Sequence, residues 1–240
     1  METNWKVSAY SNYVSAFKGK QSKTGRKASI ARLKRLIEPH LLNIDRDEAI
    51  DIGAGQGELI ETLIELGFKA RGAELSEQQA EVARLSGLNV ETVDGLNFLQ
   101  KLSSDSVILI TCFDVLEHLT KQQLTDWMKQ IHRVLKPNGI FLGHVPNGLS
   151  PFYGSVYWGD LTHEWCPVPD SIEMICNLTG LKYLGSYENI GTSPRLKGRL
   201  RNFLWFIVRT LYTILFTIET GGPNYSNVWS RVMLFKAQKV

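Results

Sequence analysis

Acidic residues are missing from a long stretch near the start of the chain. None lies between Glu2 and Glu38, while Lys18, Lys20, Lys23, Arg26, Lys27, Arg32, Lys34 and Arg35 crowd the same segment. Cysteine is scarce as well. Cys112, Cys166 and Cys176 show neither paired nor metal-ligand spacing, which argues against a disulfide scaffold and for thiols kept in a reducing cytoplasm; no metal is expected. The first residues, METNWKVSAYSNY, hold no apolar signal-peptide core. Internal repeats and low-complexity linkers are absent, and a net charge of only +3 makes no demand for a polyanionic partner. One long apolar run exists, Phe203 to Ile218. Its sixteen residues would make a helix of about 24 Å against a bilayer core of about 30 Å, with Arg209 in the middle, which argues against a spanning segment.

What is present is an ordinary globular composition, 43% apolar and 21% charged over 240 residues, enough for one well-filled α/β domain and short for two. Ser29 to Leu42 carries a helical stripe (Ile30, Leu33, Leu36, Ile37, Leu41) that Pro39 interrupts. From residue 49 strands and helices alternate. Strands are expected at 49–52, 69–75, 90–93, 107–112 and 140–145, helices at 59–66, 77–85 and 122–135, and a turn at Pro137-Asn138-Gly139. Val107-Ile108-Leu109-Ile110-Thr111-Cys112 is nearly all apolar, as a strand buried on both faces of a parallel sheet must be. A loop at 146–169, a helix at 170–178, and strands at 181–187 and 228–237 complete the chain. The pattern predicts a doubly wound, mostly parallel, seven-stranded Rossmann-like sheet in a single domain. Residues 1–48 form an N-terminal helical cap, 49–145 the core, and 190–227 a helical insertion before the last strand.

The chemistry gathers at strand ends. Asp51-Ile52-Gly53-Ala54-Gly55-Gln56-Gly57 joins a strand to a helix, and its glycines let backbone N–H groups approach a ligand that side chains would block. The spacing GxGxG, with Asp two residues ahead, differs from the dinucleotide pattern GxGxxG. Glu74 ends the second strand, where a carboxylate can accept two ribose hydroxyls. Asp94 ends the third and can accept from an adenine amino group, beside Gly95 and Leu96.

Taken together, DIGAGQGEL, Glu74, Asp94-Gly95, Cys112 to His118 (CFDVLEH) and Arg133 to Gly139 (RVLKPNG) resemble, in order, the class I S-adenosylmethionine (SAM)-dependent methyltransferases. The resemblance implies SAM as cofactor, with Gly53, Gly55 and Gly57 on its methionine part, Glu74 on the ribose and Asp94 on the adenine, and with Asp51 and Gly95 also at the cofactor site. Phe113 and Asp114 would lie beneath the sulfonium. A narrower resemblance, to bacterial methyltransferases of surface-polysaccharide and O-antigen loci, rests on Tyr10 to Gly19, on Val145-Pro146-Asn147-Gly148, and on Tyr157 to Glu164. It implies substrate contacts from Lys18, Asn147 and Asp160.

Methyl transfer to a hydroxyl needs close positioning and gains from a general base. His40 and His132 fall on helices, and His144 reads as a core residue within the fifth strand. His163 is the first candidate base, oriented by Asp160 or Glu164, and His118 the second. The aromatics of the 146–169 loop read mostly as packing. The reading is therefore a cytoplasmic SAM-dependent O-methyltransferase acting on a sugar or glycan intermediate of surface-polysaccharide biosynthesis. Its alternative is a small hydroxylated metabolite, as for ubiquinone-pathway enzymes. The apolar insertion helix, with Arg195, Lys197, Arg199 and Arg201 before it, suits a lid, an oligomer contact, or a peripheral contact with an anionic membrane or lipid-linked substrate at the inner face of the membrane. A SAM-binding scaffold without turnover is a further class. RNA binding is weighed on the Lys18–Arg35 cluster and disfavoured, since no aromatic-basic module accompanies it.

Overall fold

The computed structural model describes residues 23–189, 196–222 and 226–240. Lys18 and the Tyr10–Gly19 segment lie outside the described residues. Helix α1 (Lys23–Ile37) is followed by β1 (Glu48–Ile52), α2 (Glu58–Glu65), β2 (Lys69–Glu74), α3 (Glu77–Leu85), β3 (Val90–Thr92), α4 (Gly95–Lys101) and β4 (Val107–Phe113). After a 3-10 turn at Leu116–His118 come α5 (Lys121–Val134), β5 (Leu135–Pro146), a single helical turn α6 (Gly154–Tyr157), α7 (Pro169–Leu178), β6 (Leu181–Glu188), α8 (Leu196–Thr220) and β7 (Val232–Lys239). The seven strands form one sheet in the order β3-β2-β1-β4-β5-β7-β6, parallel except where β7 pairs antiparallel with β5 and β6. This is the doubly wound, mostly parallel, seven-stranded Rossmann-like sheet that the alternation predicts.

The sheet is buried between two helical layers. On one side Phe98, Leu124, Trp127 and Ile131 pack beneath β1 and β4. On the other, Ile37 and Leu41 pack with Leu59 and Leu63. β4 is buried along its first six residues, which explains its unbroken apolar run.

Four departures from the expected elements have local causes. α1 is already helical over residues 23–28, ahead of the expected Ser29, and polar ties hold these turns: Arg26 Nη1 donates to Gln56 O at 2.8 Å and Arg26 Nε to Glu61 at 2.8 Å. α4 escapes a search for apolar periodicity because it is short. Asp94 Oδ1 caps it, accepting from the Leu96 and Asn97 amides, and Phe98 and Leu99 bury its inner face. The expected turn at 137–139 is absorbed into β5, where the ladder to β4 slips between Val107 and Leu109 and Asn138 takes φ +64°.

The insertion helix is the fourth. α8 spans 25 residues, about 37 Å, so the length argument against a membrane span does not hold for it; by length and composition alone it could cross a bilayer. One stripe is instead tied to the body. Trp205 Nε1 donates to Glu188 Oε2, Trp229 Nε1 donates to Thr213 Oγ1 at 3.1 Å, and the Tyr212 and Phe216 rings meet Trp229. Its other face stands exposed.

Candidate functional site

The β1–α2 turn is shaped by its glycines. Gly53 takes φ +76°, and a Cβ there would stand 2.3 Å from Val115 Cγ2, so both conformation and space require glycine. Its amide and that of Ala54 donate to Ala73 O, at 2.9 and 3.0 Å. Gly55 (φ +55°) differs: the one atom near a Cβ would be Gln79 Oε1 at 3.4 Å, an ordinary contact, so space remains beside this glycine.

That space is a cavity of about 430 Å³, a volume suited to a small cofactor. Asp51, Gly53, Gly55, Phe113 and Asp114 stand in its wall, five of the nine expected cofactor residues. α1 forms the facing side with Ser29, Arg32 and Leu36, so part of the basic cluster is accounted for: Arg26 anchors the helix and Arg32 reaches the cavity.

Asp51 is buried, and Thr111 Oγ1 donates to its Oδ1 at 2.7 Å. Burial, offset in part by that hydrogen bond and reinforced by the Glu74 and Glu58 charges, pushes its carboxyl up to about 7. A cationic ligand group in the cavity would restore the charged form.

The remaining cofactor candidates stand outside the cavity wall. Glu74 braces the turn, its two oxygens accepting from the Gly55 amide at 2.8 Å and the Ser76 amide at 2.7 Å. Gly57 precedes α2 in the left-handed region, packed under Leu88. Asp94 caps α4. Gly95 lies where a Cβ would come within 2.3 Å of Trp127, a packing demand of its own.

His144, read from sequence as a core residue, is buried and hydrogen-bonded, yet it lines the cavity. Its Nδ1 lies 2.7 Å from Asp114 Oδ1 and its Nε2 2.7 Å from Asn189 Nδ2, and its ring stacks on Phe113. A carboxylate can only accept, so Nδ1 carries the proton and Nε2 accepts from the Asn189 amide. Asp114 takes φ +56°, a left-handed conformation tolerated by Asp, which turns its side chain back to His144. Sequence reasoning misses His144, Asn189 and Arg32. The usable signal was the position of His144 near the C-terminal end of a strand.

The two favoured histidines belong to a separate cluster beside Asp114. His118 Nδ1 meets Thr162 Oγ1 at 2.7 Å, and that hydroxyl donates to Asp160 Oδ1 at 2.6 Å. His163 Nδ1 donates to Tyr157 O at 2.9 Å, so the orienting group is a backbone carbonyl rather than Asp160 or Glu164. Glu117, 1% exposed, has Oε1 3.9 Å from His163 Nε2. Burial first, then the Asp114 and Asp160 charges, holds its carboxyl well above the ordinary range. Burial lowers His118, with His163 adding to the effect. For Asp160 burial works upward, but the Thr162 hydrogen bonds and both imidazoles bring the net shift below the usual value. Neither histidine lines the cavity.

Asn147, an expected substrate contact, is fully buried, and its amide serves the fold. Nδ2 donates to Val228 O and Ser230 O at 3.0 Å each, and Oδ1 accepts from Leu149 N at 3.1 Å.

Comparison with known proteins extends this geometry. A family model described as a methyltransferase domain matches residues 23–186. The ubiquinone biosynthesis O-methyltransferase of Idiomarina loihiensis is 28% identical over 140 residues, 55% of this chain and 56% of that protein. A putative methyltransferase, YqeM of Bacillus subtilis, is 30% identical over 109 residues, 42% and 43% of the two chains. The chain thus spans about half the length of the curated relatives it matches. Among solved structures, a SAM-dependent methyltransferase from Archaeoglobus fulgidus superposes with a TM-score of 0.66 at 19% identity, covering 95% of this chain and 98% of that one, a likeness of fold.

Proposed function

Because the chain belongs to the methyltransferase domain family, whose cofactor is S-adenosylmethionine, we propose that it O-methylates a small hydroxylated acceptor, with His144 taking the acceptor's proton. The observation that carries this reading is the Asp114–His144 pair in the wall of a cavity floored by Gly53 and Gly55. The relatives named as ubiquinone biosynthesis O-methyltransferases support a hydroxylated acceptor.

SAM supplies an electrophilic methyl group on a sulfonium. Asp51 would hold the methionine ammonium, the Gly55 turn its backbone, and Arg32 offers a guanidinium to its carboxylate. Glu74 and Asp94, at the ends of β2 and β3, are the candidates for ribose and adenine. An acceptor hydroxyl would replace the Asn189 amide at His144 Nε2, and Asp114 would stabilise the imidazolium that forms. General-base assistance of this kind contributes roughly 10²–10⁴-fold.

A glycan acceptor is the second reading, favoured by Trp158, which is 69% exposed next to the Tyr157 ring and offers a flat face to a sugar. The exposed face of α8, with Lys197, Arg199 and Arg201 at its N-terminal end, suits a peripheral position on an anionic membrane.

Calorimetry with SAM and its demethylated product, followed by transfer of labelled methyl to catechols and to sugar nucleotides, tests the reading. Labelled catechol supports it. Labelled sugar moves it to the glycan. Tight SAM binding with transfer only to amines would overturn O-methylation.

A further inference from the structure

Outside the cavity, three metal-ligating side chains converge without any spacing in sequence that announces them. Glu117, His118 and His163 each present a donor atom, and these atoms lie within 4.8 Å of one another. They come from the 3-10 turn after β4 and from the loop after α6. Two further bonds fasten these segments together: Glu164 N donates to Glu117 O at 2.8 Å, and Trp165 Nε1 donates to Leu116 O at 2.9 Å.

The imidazoles are set as ligands are set. In the His118 contact the Thr162 hydroxyl gives its proton to Asp160, so it accepts from Nδ1–H. Tyr157 O can only accept from His163 Nδ1–H. Both rings are thereby held in the tautomer whose Nε2 carries a lone pair, the arrangement in which an outer carbonyl or carboxylate relay orients a metal-bound histidine. Glu117 supplies an independent sign. Its Oε2 is buried with no hydrogen-bond partner, a costly state for a carboxylate unless a cation faces it.

We propose that Glu117, His118 and His163 bind a divalent transition-metal ion of the zinc type, with one coordination position open. Two imidazoles and a carboxylate are a ligand set suited to such an ion. Zinc–ligand bonds of about 2.0–2.1 Å place tetrahedral donors about 3.3 Å apart, so small side-chain rotations close the site from its present spread. The ion offsets the charge of a carboxylate that is 1% exposed. Binding here is independent of methyl transfer, and the failure of either leaves the other standing.

The test uses the full chain, stripped with chelator and titrated with zinc chloride and then cobalt(II) chloride. A single ion per chain, a Kd below about 1 µM and visible d–d absorption from bound cobalt are expected. Glu117→Gln and His163→Asn should each weaken binding by roughly a hundredfold or more, Thr162→Val by about 10–100-fold through the outer relay, and His144→Gln not at all. No binding by the wild-type chain, judged folded by circular dichroism, overturns the proposal. So does zinc binding that survives Glu117→Gln and His163→Asn together, which would mark an adventitious surface site.

Discussion

Asp114 holds His144 twice. Its amide donates to His144 O at 2.9 Å across the β4–β5 ladder, and its carboxylate accepts from Nδ1 at 2.7 Å. Because Phe113 is the residue registered against His144, the sheet itself sets the pair, and the imidazole has no freedom to choose its tautomer.

A base held in this way should be expensive to lose. His144→Gln is expected to lower kcat by roughly 10²–10⁴-fold while leaving the SAM dissociation constant within about threefold. Asp114→Asn should lower kcat as well, by freeing the other tautomer. Steady-state kinetics paired with calorimetry separate the two quantities, and full turnover by His144→Gln would remove it from the chemistry.

Asp51 links cofactor binding to pH. Its carboxyl titrates near 7 in the folded chain, against about 4 in an unfolded one. Affinity for a ligand ammonium requires the ionised form, so SAM affinity should fall about tenfold per pH unit below pH 6. In Asp51→Asn it should be weaker and flat over that range. Calorimetry from pH 5 to 8 reads the slope, and a pH-independent wild-type affinity would count against Asp51 as the ammonium's partner.

The same shift has a consequence for stability, with the opposite sense. The folded pKa is raised, so the stabilising contribution is complete below about 4 and is lost as pH rises to about 7, where the unfolded chain holds the charge more easily. Asp51→Asn keeps an acceptor for Thr111 and carries no charge. Without ligand it should melt above the wild type at pH 8, by about 2–4 °C per kcal/mol regained, and together with it at pH 4. A lower melting temperature for the variant at pH 8 would refute the burial cost.

Much of this was legible from the residues alone, for physical reasons that also mark where legibility ends. The parallel core announces itself because a strand such as β4, covered on both faces, must be apolar throughout. The glycine turn does so because its backbone conformation admits little else. His144 sits in a strand whose last eight residues are all buried, and there no alternation separates a packed histidine from one at a cavity wall. Its role depends on register against Phe113 and on Asn189, which is 45 residues away. The link from Asp160 to His118 through Thr162 is likewise a matter of loop geometry, and local sequence pairs Asp160 with His163 instead. α8 is legible as apolar but not in extent, because its first turns carry Lys197, Arg199 and Arg201.

Two of the three turn glycines, Gly53 and Gly55, should fail differently. Gly53→Ala puts a methyl 2.3 Å from Val115 in a left-handed conformation, so the fold itself should lose stability by several °C. Gly55→Ala meets only Gln79 Oε1, at 3.4 Å, and costs about 1–2 kcal/mol of backbone strain, but its methyl enters the cavity floor. It should stay folded and bind SAM at least about tenfold more weakly, since a 1.4 kcal/mol clash is already a factor of ten. Melting curves with and without SAM distinguish them, and equal ligand-induced shifts for Gly55→Ala and wild type would place the cofactor elsewhere.

The last prediction concerns α8, whose outer face exposes Phe203, Leu204, Phe206, Ile207, Leu211 and Leu215. A lid would bury such residues, and a solvated helix would not carry them in one contiguous face. The exposed cations at its N-terminal end, Lys197, Arg199 and Arg201, add attraction to anionic headgroups of about 1 kcal/mol each near the surface, while the opposite stripe is tied to Glu188 and Trp229. The chain should therefore co-sediment with vesicles containing phosphatidylglycerol, less with pure phosphatidylcholine, and less again as salt shortens the reach of the charges. Ile207→Glu with Leu211→Glu, at exposed positions, should abolish partitioning without lowering the melting temperature. Light scattering at the same concentrations decides the competing occupant. A dimer that dissociates in the Glu variant, with no vesicle binding by the wild type, would assign the face to a second copy of the chain and remove the membrane from the account.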